Sequence, residues 1–240
     1  MKILAIGCHP DDLEINCFGT LAKFVKRGDE VYVCGITNGD QGHYRILPEE
    51  LAKIRYEEAK SAAEMIGAKE YYNLGVHDVL VSRYDMVALH KLIDYIRKVK
   101  PDAIITQYPD DYMMDHVESS ALVNRAAFMS TLPHYCTKEG VYPESVPSDI
   151  PIYYMSADSI PVFTGTDYVD ITEEMEVKLK AMACHKSQLE WLTEHDGMST
   201  LDYIKSLGSV FGTLCCTKYA EAFKMCEHAQ RGTAKNILPK

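Results

Sequence analysis

Two short stretches of the chain concentrate residue types that bind metals and move protons. The first, His9-Pro10-Asp11-Asp12-Leu13-Glu14, sets an imidazole three residues ahead of a carboxylate at the mouth of a helical pattern. At that spacing both side chains can converge on one ion. The second, Tyr108-Pro109-Asp110-Asp111-Tyr112-Met113-Met114-Asp115-His116, ends on another imidazole. A catalytic zinc characteristically takes three protein ligands and keeps a position for water, so His9, Asp12 and His116 form a natural set. Asp11 then lies beside the metal without ligating it, a free carboxylate able to take a proton from water that the metal acidifies. The same residues have a plainer reading. Asp-Asp before a helix is also good N-capping chemistry, and a lone His-Pro turn is common. Spacing alone leaves both open.

Such residues need a scaffold, and the sequence predicts one. Lys2–Cys8 reads as a buried strand, and Ile15–Lys26 has helical apolar spacing that ends near Gly28. Glu30–Thr37 is a second strand, and Pro48–Ile66 a long amphipathic helix that starts Pro-Glu-Glu and stops at Gly67. Glu70–Leu74, Ala103–Gln107 and Ile150–Met155 read as further strands, with helices over Tyr84–Lys98 and His116–Met129. Alternating β and α units imply a parallel sheet wrapped by helices. From Thr172 onward the pattern is mostly helical: one long helix through Trp191, then a second around Leu201–Leu207. In such sheets ligands bind outside the carboxyl ends of the strands. Thr37-Asn38-Gly39-Asp40 and His77-Asp78 also fall there, so four successive strand ends carry polar chemistry toward one edge.

Composition narrows the function. The chain has 240 residues, 47% of them apolar, enough for one large domain, and a formal charge of −10. That acidity argues against non-specific binding to nucleic acid or anionic membrane. Nucleotide binding also fails: the first strand-to-helix turn lacks G-x-G-x-x-G and puts two carboxylates where a phosphate would sit. The N-terminus does not read as a signal peptide, and no apolar run approaches the roughly 20 residues of a membrane span. Eight scattered Cys, with no C-x-x-C pair, fit a reducing cytoplasm better than a disulfide framework.

The string His9-Pro10-Asp11-Asp12-Leu13-Glu14, followed by Gly19-Thr20-Leu21, resembles the signature of the LmbE/PIG-L family of zinc-dependent de-N-acetylases. Thr37-Asn38-Gly39-Asp40, Arg55-x-x-Glu58-Ala59, Gly67-Ala68, Leu74-Gly75-x-x-Asp78, Asp115-His116 and His185-x-Ser187-Gln188 follow in the family's order. The resemblance spans roughly residues 2–190. It implies an α/β, Rossmann-like fold, mainly a parallel sheet flanked by helices. A single domain over 1–240 is expected, with its core over about 1–190 and a helical C-terminal extension over about 191–240. It further implies that His9, Asp12 and His116 hold Zn2+ or another divalent metal, and that Asp11 is the general base. Arg55, Asp78 and His185 match substrate-binding positions, and Asp115 matches a carboxylate that orients the site. The implied substrates carry an N-acetylglucosamine-type group, and the products are acetate and a free amine. A small-molecule substrate and a homo-oligomer are the partners expected.

One departure stands out. The family commonly reads H-P-D-H at the last motif, where this chain has Met113-Met114-Asp115-His116. The missing His usually serves as general acid or oxyanion partner, and Met113 can do neither. Tyr112, His77 or His43 are the candidates to replace it from neighbouring loops. A hydratase adding water to an unsaturated dicarboxylate is the alternative, since that reaction needs no leaving-group acid; a binding protein with a relict metal site is the third. The long loop Leu132–Pro151 and the segment Thr193–Lys240 are expected to shape the pocket. Trp191 and Tyr71-Tyr72 read as core or interface aromatics, and Cys215-Cys216 as buried packing.

Overall fold

Apolar alternation along the first strand sets up two cores, one on each face of a sheet. In β1 (Lys2–Gly7), Ile3 and Ala5 join one buried cluster, and Leu4 and Ile6 join another. Successive side chains of a strand point to opposite faces, so a strand apolar at every position must be covered on both sides. The computed structural model describes residues 1–147, 150–156, 163–228, 231–233, 235 and 237–240. The helices are α1 (Asp12–Asn16), α2 (Phe18–Arg27), α3 (Pro48–Met65), α4 (Met86–Val99), α5 (Met114–Met129), α6 (Met175–Met182), α7 (Lys186–Asp196) and α8 (Thr200–Cys215). The remaining strands are β2 (Glu30–Thr37), β3 (Glu70–Val76), β4 (Ala103–Thr106), β5 (Ile152–Met155), β6 (Asp167–Asp170) and β7 (Ala220–Met225).

These strands form one seven-stranded sheet in the order β3-β2-β1-β4-β5-β7-β6. The first five run parallel, and β7 runs antiparallel to both β5 and β6. Leu89, Leu92 and Ile96 of α4 pack on one face with Leu122 and Val123 of α5. Phe18, Leu21 and Phe24 of α2 fill the other face with Met175 and Met182 of α6. Each fully buried side chain of this size is worth roughly 1.5–3 kcal/mol. The strand order reverses between β1 and β4, and the crevice outside their carboxyl ends is where such folds bind ligands. No helix among the described residues is long and apolar enough to cross a membrane.

Two differences from the sequence expectation share one cause. The helix expected over Ile15–Lys26 is broken at Cys17, where φ is −145°, so that α1 ends and α2 begins. Glu221 supplies the N-terminal partner for α2, accepting from Gly19 N at 2.9 Å and Thr20 N at 2.7 Å. Glu221 belongs to β7, inside the segment expected to be helical, and is buried with Lys178 of α6 at 2.5 Å. A carboxylate at a helix N-terminus meets unpaired N–H groups and the positive end of the dipole. The segment from Thr172 onward thus contributes three helices and a strand inside the sheet.

Other expectations shift as well. The single helix expected through Trp191 splits into α6 and α7 at His185, whose ψ is 63°. Arg97 of α4 ties down the start of the loop 132–151, donating to the carbonyls of Leu132, Tyr135 and the preceding Ser130 at 2.8–3.1 Å, and none of the loop's described residues lines a cavity at the crevice. Cys216 is exposed at the end of α8 with φ 61°, and Cys215 is half-buried, so this pair is not buried packing. Tyr72 stacks on Tyr95 at 4.5 Å, as a core aromatic does.

Candidate metal centre

Donor groups of three residues meet at the β1/β4 crevice. His9 follows β1, Asp12 opens α1, and His116 lies in the first turn of α5. His9 Nδ1 is 3.2 Å from His116 Nε2 and 3.6 Å from Asp12 Oδ2, and His116 Nε2 is 3.4 Å from Asp12 Oδ1. All three residues belong to a cluster with metal-binding potential that also includes Cys8. The Cys8 thiol lies 3.7 Å from His9 Nε2, the nitrogen turned away from the other donors.

The outer nitrogens explain how the imidazoles are held. His9 Nε2 is 3.3 Å from Asp115 Oδ2, and His116 Nδ1 is 3.1 Å from Asp111 Oδ2. Asp115 is fixed in turn by accepting from Val79 N at 2.6 Å. A carboxylate behind each ring puts the proton on the outer nitrogen and leaves the inner lone pair free. Asp12 is oriented by His9 N at 2.6 Å and Gln107 Nε2 at 2.8 Å, both donating to Oδ2. Two imidazole lone pairs and a carboxylate facing one another repel unless a cation lies between them. The proton affinities carry the same sign. Burial opposes protonation of His116, but the carboxylates of Asp12 and Asp111 overcome it and push the ring up to about 11. The donor set is compatible with a divalent metal.

Asp11 stands beside this cluster in a strained conformation, with φ 142° and ψ −23°. Such a backbone costs a non-glycine residue about 1–3 kcal/mol and persists only where its surroundings hold it. Arg55 of α3 is the holder: its Nη2 donates to Pro10 O at 2.7 Å and lies 3.5 Å from Asp11 Oδ2. Burial pushes the Asp11 carboxyl up to about 7; the Arg55 guanidinium pulls against this and the charge of Asp12 adds to it.

A cavity of about 240 Å³ opens over these groups. His9, Asp11, Asp12 and Asp78 line it from the strand ends, Arg55 from α3, Met113 from the start of α5, and Gln188, Trp191 and Leu192 from α7. Arg55 is only 2% exposed, and its second nitrogen donates to Gly39 O at 3.2 Å. Asp78 accepts from Gly39 N at 3.0 Å and Gln41 N at 3.1 Å. Both residues reach the cavity, with their polar atoms tied to the loop after β2.

His185 is placed differently. It is fully buried, with Nε2 3.0 Å from Glu14 Oε1, and it is not part of the cavity wall. The three acids suggested to replace the family's His are absent from the wall as well. Tyr112 is 82% exposed, His77 is turned to solvent against Asp40, and His43 Nδ1 accepts from Arg45 N and Ile46 N. Trp191, expected as a core or interface aromatic, lies on the wall between Tyr44 at 4.5 Å and His195 at 4.6 Å. Asp111 is the partner that sequence reading passed over; its place five residues before His116 was the available signal.

The family profile described as GlcNAc-PI de-N-acetylase, PIG-L, matches residues 4–127. The diacetylchitobiose deacetylase of Thermococcus kodakarensis is 28% identical over 233 residues, covering 93% of this chain and 82% of its own. The structure of N,N'-diacetylchitobiose deacetylase from Pyrococcus horikoshii, bound to an inhibitor, superposes with a TM-score of 0.79 at 27% identity, over 94% of this chain and 83% of that one. The 4-carboxy-2-hydroxymuconate hydratase of Pseudomonas putida KT2440 shares the fold, with a TM-score of 0.77 at 21% identity over 98% and 99% of the two chains. The chain belongs to the GlcNAc-PI de-N-acetylase (PIG-L) family, the LmbE-like amide hydrolases that remove N-acetyl groups.

Proposed function

We propose that the chain removes the N-acetyl group of a small amino-sugar conjugate, with His9, Asp12 and His116 holding zinc and Asp11 moving the proton. The observation that carries this reading is the convergence of the three residues: the two imidazole nitrogens are 3.2 Å apart, and the Asp12 carboxylate brings Oδ1 to 3.4 Å from His116 Nε2 and Oδ2 to 3.6 Å from His9 Nδ1. A tetrahedral zinc with bonds of 2.0–2.2 Å needs its ligands about 3.4 Å apart. When bound there, the ion supplies Lewis acidity, acidifying water and polarising the amide carbonyl.

The chain's own residues then divide the work. His9, Asp12 and His116 fix the ion, with Asp115 and Asp111 holding the two rings. Asp78 is occupied by two backbone donors and Asp12 by the donor cluster. That leaves Asp11 as the carboxylate in the wall free to exchange a proton. It takes one from the attacking water and returns it to the departing amine nitrogen, which needs no second acid. Arg55 keeps Asp11 in its strained backbone and therefore within reach of both.

Hydration of an unsaturated dicarboxylate is the competing reading, because a wall without a second acid suits it too. The charge of the wall weighs against it: an anionic substrate would find Arg55 bound to Pro10 O and Gly39 O. Assays of the zinc-loaded protein decide between the two. Acetate release from N-acetylglucosamine derivatives is the expected result. Loss of conjugated-alkene absorbance on an unsaturated dicarboxylate panel, with no acetate released, would replace it by the hydratase.

A further inference from the structure

A second hollow adjoins the first. It also measures about 240 Å³, and the two share Ile15 of α1 and Leu192 of α7 as common walls. Ligand pockets run to roughly 300–1,000 Å³, a size that neither reaches alone and the pair does. The second hollow is closed by Asp196 at the end of α7, Met198 in the turn that follows, and Thr200 and Tyr203 of α8. Its wall combines the apolar Ile15, Leu192 and Met198 with the hydroxyl-bearing Thr200 and Tyr203 and the carboxylate-bearing Asp196, as a sugar ring combines an apolar face with a rim of hydroxyls.

Charge restricts what enters. Across both hollows the cationic side chain in the wall is Arg55, 2% exposed and held by Gly39 O and Pro10 O. Arg45, on the neighbouring loop, is paired with Glu190 and Glu194. No residue outside the described set is Lys or Arg. A divalent metal would answer the carboxylates at the first hollow. At the second, Asp196 has His195 Nδ1 at 2.6 Å, and no lysine or arginine lines the wall.

We propose that the second hollow is the subsite for the part of the substrate beyond its N-acetylated ring, and that it takes a neutral sugar and rejects an anionic group. This rests on the de-N-acetylase reading and adds to it the class of conjugate.

Calorimetry on the zinc-loaded Asp11→Asn protein, where turnover is suppressed, tests it with defined probes. These are N-acetylglucosamine, N,N'-diacetylchitobiose, and one N-acetylglucosaminide carrying either a terminal carboxamide or a carboxylate. The disaccharide should bind about tenfold tighter than the monosaccharide, and the carboxamide about tenfold tighter than the carboxylate. Met198→Trp, which fills the second hollow, should erase the disaccharide's advantage. Asp196→Lys, at an exposed position where folding is not at risk, should reverse the carboxamide preference. Equal binding of one and two sugars, tighter binding of the carboxylate, or equal weakening of both sugars by Met198→Trp would each overturn the subsite. Absence of acetate release by the unmutated enzyme on every sugar, with the binding pattern intact, would instead sink the deacetylase reading and leave the subsite standing.

Discussion

The carboxylates at the ends of β2 and β3 and those at the ends of β1 and β4 are the same residue type on the same sheet edge, yet they do different things. At β2/β3, Asp78 accepts from Gly39 N and Gln41 N, while Asp40 accepts from Asp78 N at 3.1 Å and holds His77 at 2.5 Å. Those acceptors are satisfied by the loops they join. At β1/β4, Asp115 and Asp111 hold the backs of two imidazoles, whose inner nitrogens then face one another across 3.2 Å and Asp12 across 3.4–3.6 Å. Acceptors that find protein donors build a loop; acceptors aimed at one another call for a cation. The distinction lies in partners, and composition cannot show it.

The largest effect should come from the donors themselves. His116→Ala or Asp12→Ala should lose most of the metal, because three-ligand sites rarely tolerate the loss of one. Elemental analysis after desalting measures this directly, and full occupancy in both variants would remove them from the ligand set. Asp11→Asn should keep the metal and fold but slow turnover by about 10²–10⁴-fold, the usual contribution of a positioned acid or base. Unchanged turnover at full metal loading would take Asp11 out of the reaction.

The contrast between the two strand-end regions can be tested on matched carboxylates. Asp111→Asn, behind His116, should weaken metal affinity or activity by about 10–100-fold, as outer partners of metal-bound histidines do. Asp78→Ala should instead cost stability, about 2–4 kcal/mol for two lost hydrogen bonds to a buried charge, with the metal retained. Urea unfolding and metal titration of both proteins read the two quantities separately. A metal defect in Asp78→Ala equal to that of Asp111→Asn would erase the distinction.

How much of this was legible in the chain follows from what is local. The strands β1 and β2 are apolar runs bounded by turn residues, and His9, Asp12 and His116 fall at predicted strand ends, so sequence alone could nominate them. The strand β7 was not legible: its sequence, Ala220–Met225, mixes Ala, Glu and Lys with a single Phe, a poor β signature. Its Glu221 is buried because Gly19 N, Thr20 N and Lys178 reach it from distant parts of the chain. The contacts of Arg55 and His185 were not legible for a related reason. Their positions follow a recognisable pattern, but whether a polar atom faces a cavity or a backbone carbonyl is decided by packing between α3, α7 and the strand-end loops.

The smallest expected effect belongs to Met113→His, and it bears on how the amine is protonated. Met113 is 36% exposed on the wall of the same cavity as Asp11. A histidine there would restore the group that the family commonly carries at this position. If turnover were limited by a missing acid, the change should raise it toward 10²-fold. If Asp11 returns the proton it has taken, the added imidazole is redundant, and turnover should change by less than about threefold, well short of a general acid's usual contribution. We expect the second outcome, because no histidine or tyrosine proposed as a substitute reaches the wall, whereas Asp11 does and is held there by Arg55. The comparison requires equal zinc loading, since a new imidazole could also capture metal. A large gain in acetate release from this single change would mean that Asp11 does not do both jobs, and that the chain works with half of its proton machinery missing.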